Sequence, residues 1–288
     1  MSKLLHLGLG LTLAGCAGVA PVPSDPAASA VARTIAVTPQ ELRGNLPAAV
    51  GDARTPYLTY HGGTMAIHPR EYVVFMGWTG SDADPDGEAA YVVNFIRGAA
   101  ASAWLQTVSQ YPDARGATID NRHNRLAGVW YDDTPDRAIN AEAMRAAKHF
   151  GDRSASAQFM LLSPHGRNLP DFGKTYCSYR LGLGLIEGRR TIWEPVATYL
   201  GYMPDAGKFC GAFRVNRGRS GILDGVSIVA GADVAGYETD VHLSAWFNNQ
   251  TGYEIADPCW WHPRNVRFAT GVFPVTGLWS NAARGCVF

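Results

Sequence analysis

A single α+β domain with a mixed β-sheet and at least three helices is the fold this sequence predicts, on three observations. Apolar, β-branched runs bounded by turn residues alternate with segments whose apolar residues recur at helical spacing. The stretch Gly225 to Asp240 reads as a buried helix. Four cysteines, Cys177, Cys210, Cys259 and Cys286, follow Cys16, an even number that in an exported chain indicates two disulfides. With 288 residues, 47% hydrophobic and 17% charged, the chain can bury one sizeable core. Its formal charge of zero leaves no electrostatic footprint for nucleic acid or an acidic membrane surface.

At the N-terminus, Lys3 precedes the apolar run Leu4 to Leu13, which is too short to span a bilayer as a permanent helix. It ends in Leu13-Ala-Gly-Cys16, a pattern that resembles a bacterial lipoprotein signal. Residues 1–15 would be removed and Cys16 lipidated. No Asp follows Cys16, which in a bacterium with two membranes favours the outer one. Residues 16–56 are rich in Ala, Pro, Val and Ser and poor in aromatics, so they read as a disordered tether, with Gln40-Glu-Leu at most a short turn.

Order is expected from Tyr57 to the end. Tyr72–Trp78 and Ala157–Ser163 read as buried strands, and Leu126–Tyr131 as a third. Glu88–Ser109 and Pro135–Phe150 read as helices, Gly98 marking a kink or break in the first. Gly-rich, aromatic ground follows from Tyr176 to the turn Pro204-Asp-Ala-Gly207. Beyond the central helix, Tyr253–Trp261 and Val266–Val275 read as short extended segments. Three disulfide connectivities are open; sequence proximity favours Cys177 with Cys210 and Cys259 with Cys286.

Several segments, in order, carry a resemblance: Tyr60-His61-Gly-Gly, Ser163-Pro-His-Gly, Phe172-Gly-Lys-Thr-Tyr-Cys177-Ser-Tyr, Gly201-Tyr-Met-Pro-Asp-Ala-Gly-Lys-Phe-Cys210-Gly, Asp224-Gly-Val-Ser-Ile-Val and Gly252-Tyr-Glu-Ile-Ala-Asp-Pro-Cys259-Trp. Over residues 57–288 the chain resembles secreted bacterial relatives of the EXORDIUM, or phosphate-induced protein 1, family. The bacterial members' central helix looks like H-E-Y-A-E-x-x-T-D, a zinc-metallopeptidase pattern in which the first and fifth residues hold the metal and the second is general base. The resemblance implies a zincin-like fold. Here the three positions are Ala232, Asp233 and Gly236, while Thr239 and Asp240 keep the pattern. Neither Ala nor Gly can bind zinc, so the helix face is read as a degenerate active site, like that of the plant members.

On a helix, Ala232, Gly236 and Asp240 share one stripe with Asp233 beside it. Asp233 is a shortened general base in the functional reading and a solvated or Arg-paired carboxylate in the one we favour. Asp240 and His242 offer two metal ligands, too few alone for zinc, and a helix-end role is favoured. Adding Glu254 and Asp257 gives an oxygen-rich set suited to calcium or a residual divalent metal, against surface or Arg-paired carboxylates. His61 is read as packed rather than catalytic. Ser163, His165 and Ser227 lack a nucleophile elbow, and Gly182-Leu-Gly184 lacks the dinucleotide context. The aromatics Trp246, Phe247, Trp260, Trp261 and Trp279 read as core before ligand groove.

The sequence therefore leads us to expect a lipid-anchored cell-envelope protein with a non-catalytic, metallopeptidase-like domain, possessing no cofactor and binding a peptide, protein or carbohydrate. The alternatives are a metal-dependent hydrolase using Asp233, Asp240 and the downstream carboxylates, and a cell-surface structural protein.

Overall fold

The computed structural model describes residues 31–36, 57–122, 125–136, 138–187, 190–193, 196–260 and 262–288. The signal, Cys16, Gln40 and Trp261 lie outside these residues. A seven-stranded sheet runs β1 (Val31–Ala36), β6 (Ser178–Glu187), β8 (Val196–Leu200), β5 (Ala157–Leu162), β3 (Arg70–Met76) and β4 (Leu126–Asp132), with β7 (Arg190–Trp193) paired to β6. Strands β4, β3, β5 and β8 are parallel, and β6 runs antiparallel to β8, β7 and β1, so the sheet is mixed.

Strands β5 and β8 are buried at every residue and β3 at all but its first, which is why β3 and β5 read as continuous apolar runs. Strand β4, at the edge, instead alternates half-buried and exposed positions. At the other edge β1 corrects the tether reading over six residues: Val31 to Ala36 pair in register with Gly184 to Tyr179. Composition measures side-chain burial, whereas an edge strand is held largely by backbone hydrogen bonds to its neighbour. Strands β6 and β8 lie in the ground left unassigned between Tyr176 and Gly207, where glycines and mixed polar residues obscure the period.

Helix α1 (Glu88–Ala99) is shorter than expected. The Asp84 carboxylate accepts the Glu88 and Ala89 N–H groups at 2.7 and 3.1 Å, fixing its start. The chain breaks after Ala99, Ala101 sits at φ 57°, and a 3-10 turn at Leu105–Gln110 takes up the remaining apolar residues. Gly98 serves packing instead: a Cβ there would stand 2.0 Å from Thr270 Oγ1. Helix α2 (Ile139–Phe150) starts later than Pro135 and ends at Gly151, whose φ of 69° suits glycine. A single turn, α3 (Met203–Ala206), precedes the central helix α4 (Asp224–Thr239).

Every residue of α4 except Ala232 is buried, between the sheet on one side and α1 and β11 (Gly271–Val275) on the other. Asp224 anchors its start, accepting the backbone N–H groups of Val215 and Asn216 at 2.8 and 2.7 Å.

The extended reading of Tyr253–Trp261 is corrected: Asp257–Cys259 is a 3-10 turn, with Pro258 in it. Val266–Val275 is a hairpin, β10 (Arg264–Phe268) with β11. Short pairs, β2 (Thr59–Tyr60) with β9 (Trp246–Phe247) and β12 (Leu278–Ser280) with β13 (Gly285–Val287), complete the described strands. Both disulfides take the neighbour pairing, Cys177–Cys210 and Cys259–Cys286, with Cα separations of 5.4 and 5.6 Å. Their loops of 33 and 27 residues correspond to about 3–4 kcal/mol each in the chain-entropy account. The first bond holds the entry to β6 against the 3-10 turn Gly207–Cys210 that follows α3.

Candidate functional site

Strand β6 alternates, so Ser178 and Arg180 project towards α4 while Tyr179 packs against Tyr199 on the other face. Arg180 is 5% exposed. Its Nη1 donates to Glu254 Oε1 at 2.8 Å and to the Asp240 carbonyl at 3.1 Å. Gly236 makes room for it: a Cβ at 236 would lie 2.5 Å from Arg180 Nη2 and 3.3 Å from each Glu254 oxygen. A guanidinium thus fills the place where the resemblance puts a ligand side chain.

Three carboxylic acids surround this guanidinium or the sheet beneath it. Asp233 is buried and its Oδ2 has no hydrogen-bond partner. Burial pushes its carboxyl up to about 7, against the pull of Arg180 and the Ser178 hydroxyl. Asp240 closes α4: Oδ1 accepts the Ser244 and Ala245 N–H groups at 2.5 and 2.7 Å. Burial and the neighbouring Glu254 charge raise it to about 7. Below them Glu71 is wholly buried, and burial raises it to about 8 despite Arg125 and Arg180. Gln158 donates to Glu71 Oε2 at 2.7 Å and accepts from Thr198 Oγ1 at 2.6 Å, and Arg125 pairs with Glu238 of α4. For Arg180 burial works against the charge, yet Glu254, Asp233 and Asp240 hold its pKa above the ordinary value.

These shifts set a pH dependence. A carboxyl whose folded pKa is raised binds more protons folded than unfolded, so its contribution is complete below about pH 4 and is lost as pH rises through about 7 to 8. Between its unfolded and folded midpoints each such group costs up to about 1.4 kcal/mol per pH unit. We expect urea unfolding to give a domain at least about 2 kcal/mol more stable at pH 5 than at pH 8. Equal stability at the two values would mean that these groups ionise in the fold as readily as in the unfolded chain.

The remaining expected site residues divide. Ala232, Asp233, Gly236, Asp240 and Glu254 converge around Arg180. Asp257 Oδ2 accepts the Glu254 N–H at 2.8 Å, holding that loop. His242 stands over Gly182 of β6, its Nδ1 3.5 Å from where a Cβ would be. Among the described residues no three His, Cys, Asp or Glu side chains converge as a metal-binding group. His61 is exposed, stacked on Phe247 at 3.7 Å and bonded to Thr59 Oγ1. Ser163 bonds Tyr199, His165 bonds Asp205 at 2.6 Å, and Ser227 bonds Tyr91 and the Pro274 carbonyl, so the bonds of Ser163 and Ser227 go to partners other than His165. Trp279 belongs to the core, Trp246 packs on Tyr60 and Tyr111, and Trp260 borders the site.

Arg180 is the functional candidate that sequence reasoning passed over. Its signal was there: a charged residue in Ser178-Tyr-Arg-Leu-Gly, with period-two alternation, in a chain whose central helix carries Asp233 and Asp240 without a cation. Beside Arg180 a small cleft lined by Ser178, Ala232, Asp233, Glu254 and Trp260 offers about 20 Å³ to a water centre, room for one water. The cluster can neutralise charge and exchange a proton near pH 7, but the residues present do not fit zinc, since position 232 has no donor atom and position 236 is blocked. No protein-family model, curated protein or solved structure matches this chain.

Proposed function

We propose that this is an exported, lipid-anchored protein of the bacterial cell envelope whose zincin-like, EXORDIUM-related domain is non-catalytic and serves as a binding module. The observation that carries the reading is the seat of Arg180: its guanidinium stands against Gly236 and pairs with Glu254, giving the helix carboxylates a built-in cation. Further support comes from a mixed sheet laid against a buried helix, the arrangement a zincin-like domain requires, and from two disulfides, which suit an oxidising compartment. Asp233 then has neither a metal-bound water nor a nucleophile from which to take a proton.

The test uses the full chain, purified from membranes without chelator. We expect less than stoichiometric zinc by atomic emission and no chelator-sensitive cleavage of casein, with Cys16→Ser releasing the protein from the membrane fraction. Stoichiometric zinc, together with casein cleavage abolished by Asp233→Asn, would replace this reading with the metal-dependent hydrolase. Unchanged membrane association of Cys16→Ser would remove the lipid anchor.

A further inference from the structure

We infer that the hollow between the Gly207–Cys210 turn, the first half of α4 and Trp260 binds a small apolar carboxylate, with a ring-sized apolar part seated inside and the charged end at Lys208. The inference gives the binding module a ligand class and rests on that reading. The hollow holds about 120 Å³. An engineered apolar cavity of roughly 150 Å³ takes benzene, so this one suits a group no larger than a six-membered ring.

Burial grades from its floor to its rim. Ile228 of α4 is buried, Phe209, Trp260 and Pro263 are half-buried apolar walls, and Lys208 and Arg214 are exposed. An apolar group placed there removes from water the surface that the three walls leave open, which is the driving force for entry. Both sides are covalently fixed. The Cys177–Cys210 disulfide ties down the turn, and the next residue, Gly211, packs so closely on α4 that a Cβ would stand 3.2 Å from the Gly225 Cα. On the opposite side Cys259, wholly buried and adjacent to Trp260 in the chain, is bonded to Cys286. A hollow whose walls are already held in place loses little affinity to ordering when a ligand enters.

Lys208 sets the sign of the ligand. Arg214 has an interaction of its own, so its charge is not counted, whereas Lys208 pairs with no carboxylate among the described residues, and none of the described lining residues is acidic. A cationic ligand would meet that ammonium with nothing to offset it, and a neutral one would leave it to water. A carboxylate supplies a countercharge, worth a few-fold in affinity at an exposed site. Trp260 also lines the cleft beside Arg180, where there is room only for a water, so the apolar part is confined to the larger hollow.

Isothermal titration of the detergent-solubilised full chain, against a micelle blank, with benzoate, benzamide, benzylamine and acetate tests this. We expect benzoate to bind at millimolar concentration or tighter, benzamide about threefold more weakly, and benzylamine more weakly than benzamide. Acetate, which keeps the charge and lacks the ring, should bind at least about tenfold more weakly than benzoate. Lys208 is exposed, so Lys208→Glu should leave the fold intact, weaken benzoate at least about threefold, and leave benzamide, which has no charge to lose, unchanged. No binding of benzoate, binding of any of the other three as tight as that of benzoate, or a Lys208→Glu variant with unaltered benzoate affinity would each overturn the inference. Absence of benzoate binding in a protein that is also zinc-free and inactive on casein would remove the apolar carboxylate and leave the non-catalytic reading standing. Stoichiometric zinc with chelator-sensitive cleavage would remove that reading itself.

Discussion

Replacing Arg180 with Leu is expected to destabilise the domain by about 3–5 kcal/mol, the range for removing one partner from a buried ion pair. The guanidinium is 5% exposed and faces Glu254, Asp233 and Asp240, two of which are themselves almost wholly buried. Leucine fills much of the volume but leaves those acids with no countercharge. The cost arises from stranded anions, so it should shrink as they protonate. Urea unfolding followed by tryptophan fluorescence should show the full loss at pH 8 and a smaller one at pH 5, since burial places the Asp233 and Asp240 carboxyls near 7. A loss independent of pH would indicate that Arg180 contributes by packing, through its aliphatic stem, rather than by charge.

Gly236→Glu, the reverse of the replacement that the resemblance implies, should cost about 3 kcal/mol or more. Any side chain at 236 starts 2.5 Å from Arg180 Nη2, and a carboxylate there is added next to Glu254. The gain of about 1 kcal/mol in helix propensity over glycine is too small to offset this. In a double variant with Arg180→Gly, the space and the charge are both released. The two losses should therefore fall short of additivity by at least about 1 kcal/mol. The same logic governs attempts to rebuild a metal face. Ala232→His, Asp233→Glu and Gly236→Glu together should acquire zinc only in a chain that also lacks Arg180, as zinc titration monitored by thermal shift would show. Tight zinc binding with Arg180 retained would mean that the guanidinium swings aside and is not the helix's resident cation.

Much of the fold was legible because its signals are local. The runs of β3 and β5 are mostly apolar since parallel central strands are covered on both faces, α2 announces itself through apolar spacing, and α4 reads as a buried helix because it is apolar almost all round. Cysteine parity and proximity gave the two disulfides for the same reason: short loops close at the least entropic cost. The failures were equally physical. Strand β1 is held by backbone pairing, which composition does not register; Pro258 and the glycines around β6 disguised a turn and a strand.

At the site, the sequence alone determined that Ala232, Asp233, Gly236 and Asp240 lie on one side of one helix, and that positions 232 and 236 offer no metal donor, because helical periodicity settles which residues share a face. What surrounds that face was decided only by tertiary structure. Arg180 and Glu254 are 74 positions apart, and nothing in either neighbourhood states that an antiparallel strand will deliver a guanidinium into the gap a missing side chain leaves. Burial, not residue type, then raises the carboxyls and gives the cation its task, and burial is a property of the assembled core.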